Sequence, residues 1–175
     1  DVNLKFVSLG RDYFVAMVRN ATERKLAEET NKITAMAYEN SREAMMVIDA
    51  NKLIMDVNPT FCEITGYMEE EVIGKSPAIL NSDQESEDLY KSIWQQLDEQ
   101  GHWAGEVWHK RKNDEVFPEW LSLNAVYDDT GNPYRWVGQF TDISEKKQAE
   151  KKIWHQANID NITSLPNRSM FIEKL

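Results

Sequence analysis

The sequence predicts an α+β domain in which a five-stranded antiparallel sheet carries short helices on one face, with a connecting helix at each end. Three observations predict it. Two strand-like runs come first, several short helical segments follow, and three strand-like runs close the order. The strands within each group are joined by strong turn chemistry: Ala50-Asn51-Lys52 in the first group, and residues 112–115 and 128–133 in the second. The composition, 41% hydrophobic and 29% charged with 7 Gly and 5 Pro in 175 residues, suffices for one ordinary core and is neither collagenous nor low-complexity.

The elements follow in order. Residues 13–28 resemble residues 135–150 at a fixed offset of 122, and both copies run from a strand (13–18, 136–140) into a helix. Asn20-x-x-Glu23 and Asp142-x-x-Glu145 supply the acceptor-plus-Glu pattern of a capping box at the two junctions. Residues 1–20 are therefore expected to be the tail of a preceding domain of the same kind, and the chain an excerpt of a longer tandem protein. Residues 21–43, rich in Ala, Glu, Lys and Met without Gly or Pro, predict a linker helix with Leu26, Ile33 and Met36 at near-heptad spacing. Asn40 interrupts the repeat, so a coiled coil and a solvated linker both stay open.

Strands are predicted over 44–49 and 53–57. Asn58-Pro59 ends the second and starts a helix over 60–65 that Gly66 stops. A helical turn over 69–73 closes at Gly74, and an amphipathic helix over 85–100 puts Leu89, Ile93, Trp94 and Leu97 on one face before Gly101. Strands over 103–111, 116–126 and 134–140 and a final helix over 143–158 complete the order.

Charge and motif content exclude several classes. The net charge of −10 disfavours nonspecific nucleic-acid binding. No apolar run approaches the ~20 residues of a membrane-spanning helix, and the first residues carry no signal-peptide pattern. A single cysteine, Cys62, fits a reducing compartment, so a cytoplasmic location is expected. His102 and His109 lack partners at metal-ligand spacing, and no nucleophile–base pair stands out. Ser41, Ser76 and Ser82 are expected in caps or turns.

The order of elements, with Asn58-Pro59-Thr-Phe-Cys-Glu-Ile-Thr-Gly66-Tyr67, Glu71-Val-Ile-Gly74-Lys and Phe140-Thr-Asp142-Ile-Ser144-Glu, resembles the PAS sensory domain with its C-terminal PAC motif. The resemblance spans about residues 40–145, with the PAS domain itself at 44–142. Residues 159–175 contain Asp160-Asn-Ile-Thr163-Ser-Leu165-Pro166-Asn167-Arg168, which resembles the opening of a GGDEF diguanylate cyclase domain, with Ile162 and Ser164 departing from the usual Leu and Gly. Together the resemblances imply a sensory module that relays a signal through the 143–158 helix, with Asp142, Ile143 and Glu145 at the relay, to a covalently attached cyclase of cyclic di-GMP signalling. The Gly-Gly-Asp/Glu-Glu-Phe signature is absent from the 175 residues, so no cyclase activity is expected of this chain. The alternative is an inert dimerisation or spacer domain without a ligand. A homodimer is expected in either case, through Leu26, Ile33 and Met36 on one side and Ile143, Ile153 and Trp154 on the other.

Gly101-His-Trp103-Ala-Gly105-Glu-Val-Trp108-His109 resembles the PAS subgroup that includes flavin-binding redox sensors, where a Trp and a polar residue on this strand face the isoalloxazine. Strand alternation sets Trp103, Gly105, Val107 and His109 on one face, and strand matching places Glu119 beside His109. The implied pocket comprises Ile64, Trp103, Val107, His109, Phe117, Glu119, Leu121 and Phe140, with His109 where those relatives commonly carry an amide. Two readings stay open. No tightly held cofactor is the preferred one, and a noncovalent flavin, FAD or FMN, is the other. A flavin–cysteinyl adduct is argued against because Gly74-Lys-Ser-Pro77-Ala lacks the reactive cysteine; Cys62 is expected to be a small buried hydrophobe. No histidine occupies the helical segment from which haem-binding relatives supply theirs.

Overall fold

A computed structural model of the chain describes residues 2–8 and 14–158, with side chains from residue 24 onward. The cyclase-like opening at 159–175 and the Tyr13 start of the first repeat lie outside the described residues. The chain divides into two units, Asp1–Ser41 and Arg42–Leu175.

In the first unit, β1 (Val2–Ser8) and β2 (Phe14–Asn20) pair antiparallel, and β2 runs without a break into α1 (Ala21–Glu39). The partner strand β1 went unpredicted, although Val2, Leu4 and Phe6 alternate with Asn3 and Lys5 in the period of a strand. α1 ends at Glu39 rather than at residue 43. Asn40 donates from Nδ2 to the Met36 carbonyl at 2.8 Å, a local bond that competes with continuing the helix. Leu26, Ile33 and Met36 are exposed on α1.

The second unit holds the predicted sheet. β3 (Ala44–Asp49), β4 (Ile54–Val57), β5 (His102–Lys110), β6 (Val116–Tyr127) and β7 (Pro133–Asp142) are antiparallel in the order β4-β3-β7-β6-β5. Between β4 and β5 run α2 (Pro59–Thr65), α3 (Glu69–Val72), a 3-10 turn (Pro77–Leu80) and α4 (Glu87–Gln100), and α5 (Ser144–Asn158) follows β7. The last strand thus sits at the centre of the sheet, and α5 leaves from there.

Local chemistry explains the joints. The Asp49 carboxylate accepts from the Asn51 and Leu53 backbone N–H groups at 2.8 and 2.9 Å, which lets Lys52 take a left-handed φ of 63° at the hairpin tip. Asn58, fully buried, caps α2 through a bond from the Phe61 N–H at 3.0 Å and ties the start of β3 to the end of β4. Gly66 ends α2 at φ 77°, its N–H reaching the Cys62 carbonyl at 2.9 Å. Ser86 caps α4, so that helix starts at Glu87 rather than residue 85.

Ile93 and Leu97 of α4, Phe61 of α2 and Val72 of α3 bury against Ile48, Val107 and Phe140 of the sheet. Each such side chain contributes roughly 1.5–3 kcal/mol on burial. Phe61 meets Phe140 edge-on at 5.7 Å, and Trp94 meets Trp136 edge-on at 6.1 Å with the Lys52 ammonium 4.6 Å above the Trp94 ring.

Candidate functional site

The face of β5, β6 and β7 that lies under the helices is apolar except at one place. His109 stands opposite Phe117, and Val107 opposite Glu119, so His109 and Glu119 meet on the diagonal. His109 Nδ1 lies 2.8 Å from Glu119 Oε1. The contact is close but not aligned as a straight hydrogen bond, and Glu119 Oε2 has no partner among the described residues. Glu119 is fully enclosed. Burial pushes its carboxyl above the usual glutamate range, and the opposing pull of His109 is weaker.

The segment after the 3-10 turn closes the edge of β5 beside this pair. Tyr90 of α4 stacks on His109 at 5.9 Å and donates its hydroxyl to the Trp108 carbonyl at 3.2 Å. Ser82 donates to the same carbonyl, Trp108 donates its N–H to Glu85 Oε1 at 3.2 Å, and Asn81 bridges His109. Ser82 opens the expected turn, its carbonyl accepting from the Glu85 N–H at 3.3 Å, and its side chain in addition ties this segment to β5. Ser76 does act as a cap, accepting from the Ala78 N–H at 3.3 Å.

A cavity of about 50 Å³ lies between α4, the 3-10 turn and the sheet, bordered by Met46, Tyr90, Trp94, His109, Leu121 and Leu123 among others. Of the eight residues expected to form the pocket, His109 and Leu121 line it. Val107, Phe117, Glu119 and Phe140 are buried in the core around it. Trp103 is half-buried, its indole folded along the strand so that a Cβ added at Gly105 would stand 2.9 Å from the ring. Ile64 borders a separate open groove with Arg111 and Lys112. The α4 contribution went unassigned, although Tyr90, Ile93 and Trp94 share a face at helical spacing.

On the other side of Glu119 lies the start of α5. Asp142 stands directly opposite Glu119 in the β6–β7 register. Its Oδ1 accepts from the Ser144 N–H at 2.8 Å, and its Oδ2 takes the Arg111 guanidinium. Arg111 also donates to the Ile64 carbonyl and lies 4.0 Å over the Phe117 ring. Burial alone would raise the Asp142 carboxyl, but the hydrogen bonds from Ser144 and Arg111 outweigh it and hold the group below the usual range. Ile143 donates its N–H to the Pro118 carbonyl at 3.0 Å and buries its side chain, so it belongs to the core and not to the uncovered apolar positions. Ile153 and Trp154 are exposed, as is Glu145. Cys62 is half-buried rather than buried, and burial raises its thiol.

No helix among the described residues is long and apolar enough to cross a membrane. The nitrogen fixation regulatory protein of Klebsiella oxytoca is 25% identical over 115 residues, covering 66% of this chain and 23% of that protein. The blue-light-activated histidine kinase of Rhizobium johnstonii is 25% identical over 134 residues, covering 75% of this chain and 39% of that protein. The chain therefore spans well under half the length of these relatives. The solved PAS domain of a protein from Colwellia psychrerythraea superposes with a TM-score of 0.62 at 22% identity, covering 66% of this chain and 98% of that one. A model of the PAS domain family matches residues 42–145. That match takes in the whole sheet, the helices over it and the first residues of α5, and on it the chain belongs to the PAS domain family.

Proposed function

We propose that the second unit is a sensory module whose cavity beneath α4 takes a small ligand and whose α5 carries the response to a C-terminal output domain, a diguanylate cyclase by the resemblance of residues 159–175. The observation that carries this reading is the position of Glu119, between the cavity-lining His109 and the Asp142 that caps α5. The names of the relatives, a regulatory protein and a light-activated kinase, support a signalling role. The 175 residues hold no Gly-Gly-Asp/Glu-Glu-Phe signature, and on this reading no GTP turnover is expected of the chain itself.

A noncovalent flavin is the alternative reading, supported by the likeness to a light-activated kinase and disfavoured by the size of the cavity. The unpaired Glu119 oxygen suits a polar heterocycle edge, but a cavity of about 50 Å³ is far below the roughly 300–1,000 Å³ that ligands of that size occupy. The ligand of this reading is accordingly smaller than a three-ring cofactor. The exposed Leu26, Ile33 and Met36 of α1 and Ile153 and Trp154 of α5 support self-association, with a light-scattering mass that rises with concentration towards twice the monomer.

Screening the purified chain for small polar ligands by thermal shift, with the absorption spectrum recorded before and after incubation with FAD and FMN, tests the proposal. Ligand-dependent stabilisation lost in His109→Ala is expected. Flavin bands of full occupancy, or no stabilisation by any compound, would overturn it.

A further inference from the structure

Glu119 is the one fully buried carboxylate among the described residues, and its surroundings are asymmetric. The charged and titratable groups that face it are His109 on β5, Arg111 just past the end of β5, Asp142 on β7, and Tyr90 on α4, which stacks on His109. One of its oxygens touches His109 and the other has no partner among the described residues. Arg111, the nearby cation on the same face, is committed to Asp142 and to the Ile64 carbonyl, over the Phe117 ring. Phe117 is two residues from Glu119 and therefore on the same side of β6.

We propose that Glu119 is a proton-operated coupling between the cavity and α5. With the carboxyl neutral, Arg111 keeps its contacts to Asp142, to the Ile64 carbonyl and to Glu115 at the surface, 3.4 Å from its Nε, Asp142 caps Ser144, and the first turn of α5 is held. When the proton leaves to solvent, a second anion faces Asp142 across the register and competes for the same guanidinium, and the cap loosens. A ligand that engages His109 removes the contact His109 makes to Glu119 and so shifts the same equilibrium. That last link rests on the sensory reading above; the coupling of Glu119 to α5 does not.

Burial already favours the neutral form, so the coupling operates above the usual glutamate range. It is reciprocal by thermodynamic necessity: whatever Glu119 does to the cap, the cap does to Glu119.

The test uses the full chain. Infrared spectroscopy follows the carbonyl band of the protonated Glu119 carboxyl with pH, assigned by its absence in Glu119→Gln. Hydrogen–deuterium exchange follows the Lys147 amide, which bonds the Ile143 carbonyl at 2.9 Å in the first turn of α5. After correction for intrinsic exchange, Lys147 is expected to exchange about 3- to 30-fold faster across the interval in which the band disappears, the range of a lost N-cap. The Glu119→Gln profile should be flat. A band that disappears with no change at Lys147, or the same rise in Glu119→Gln, overturns the proposal. Should Glu119→Gln not fold, Asp142→Asn decides: the Glu119 band must titrate at lower pH than in the parent chain, and an unchanged midpoint overturns the coupling. A ligand that binds the cavity without moving the Glu119 band refutes the link from the cavity to Glu119 and leaves the sensory reading standing. Coupling without any ligand does the reverse.

Discussion

Asn58→Ala is the substitution for which the structure supplies the fullest estimate. The Asn58 side chain accepts from the Met45 N–H at 2.8 Å and the Phe61 N–H at 3.0 Å, and donates to the Glu43 carbonyl at 2.9 Å. It is completely enclosed, so water does not replace these bonds without rearrangement. Loss of the α2 cap costs about 0.5–2 kcal/mol. The Met45 N–H and Glu43 carbonyl that lose this partner add roughly 1–3 kcal/mol each, giving about 2.5–8 kcal/mol together. That is a large part of the ~5–15 kcal/mol that holds a domain folded. At about 2–4 °C per kcal/mol for a chain of this size, the melting temperature falls by roughly 5–30 °C. Urea unfolding followed by tryptophan fluorescence measures it: the midpoint drops while the slope with denaturant stays the same. Asn58→Ser separates the contributions, because a serine hydroxyl reaches the Phe61 N–H as a cap but cannot span to Glu43. It should recover about 1 kcal/mol. A loss below about 1 kcal/mol in Asn58→Ala, with slope unchanged, would refute the claim that this side chain joins α2 to the β3–β4 pair.

Three further outcomes follow from the geometry. A Cβ at Gly138 would stand 2.7 Å from Met46 Cε and 3.0 Å from Leu123 Cδ2, both at the cavity, so Gly138→Ala should drive the Met46 methyl inward at a cost of about 1–3 kcal/mol and abolish ligand uptake, read by denaturant melts and thermal shift. Lys52→Ala should cost about 0.5–1 kcal/mol through the lost cation–π contact with Trp94 and alter the tryptophan emission, while Asp98→Ala, which removes only a half-exposed ion pair, should change little. The pH profile has two arms: Asp142, held low in the folded state, contributes stability that is complete above the usual aspartate range and lost as pH falls through its lowered value, and Glu119, held high, contributes stability that is complete below the usual glutamate range and lost as pH rises through its raised value. Urea melts across acid to neutral pH should therefore show the acid arm weakened in Asp142→Asn and the upper arm absent in Glu119→Gln.

The fold was legible because each joint carries its own local chemistry. Asn58-Pro59, Gly66, Ser86 and the Asp49 turn mark boundaries that the structure places within a residue or two of where the sequence puts them. Strand alternation sufficed for the inward side of β6, since Phe117, Glu119, Leu121 and Leu123 are all buried while Trp120 is exposed. The cavity was less legible. Its walls come from α4 and the 3-10 turn as much as from the sheet, and how close a helix lies over a strand depends on packing that no period records. Trp103 shows the same limit: alternation gives its face, but only the missing side chain at Gly105 lets the indole fold along the strand.

Glu119 is where the local pattern and the core disagree. A strand that buries Phe117, Leu121 and Leu123 has no packing use for a carboxylate between them, and an unpaired oxygen in the core costs roughly 1–3 kcal/mol that a leucine would not. Stability alone therefore does not account for it. The register gives its place: Glu119 is opposite Asp142 on one strand and diagonal to His109 on the other, so the one fully buried carboxyl among the described residues lies between the cavity and the first turn of α5. In the coupling proposed above, a disturbance at that point passes into α5 because the final strand is central in the sheet and the helix follows it directly. A local shift of charge, rather than a rearrangement of the sheet, is then sufficient to change how α5 begins.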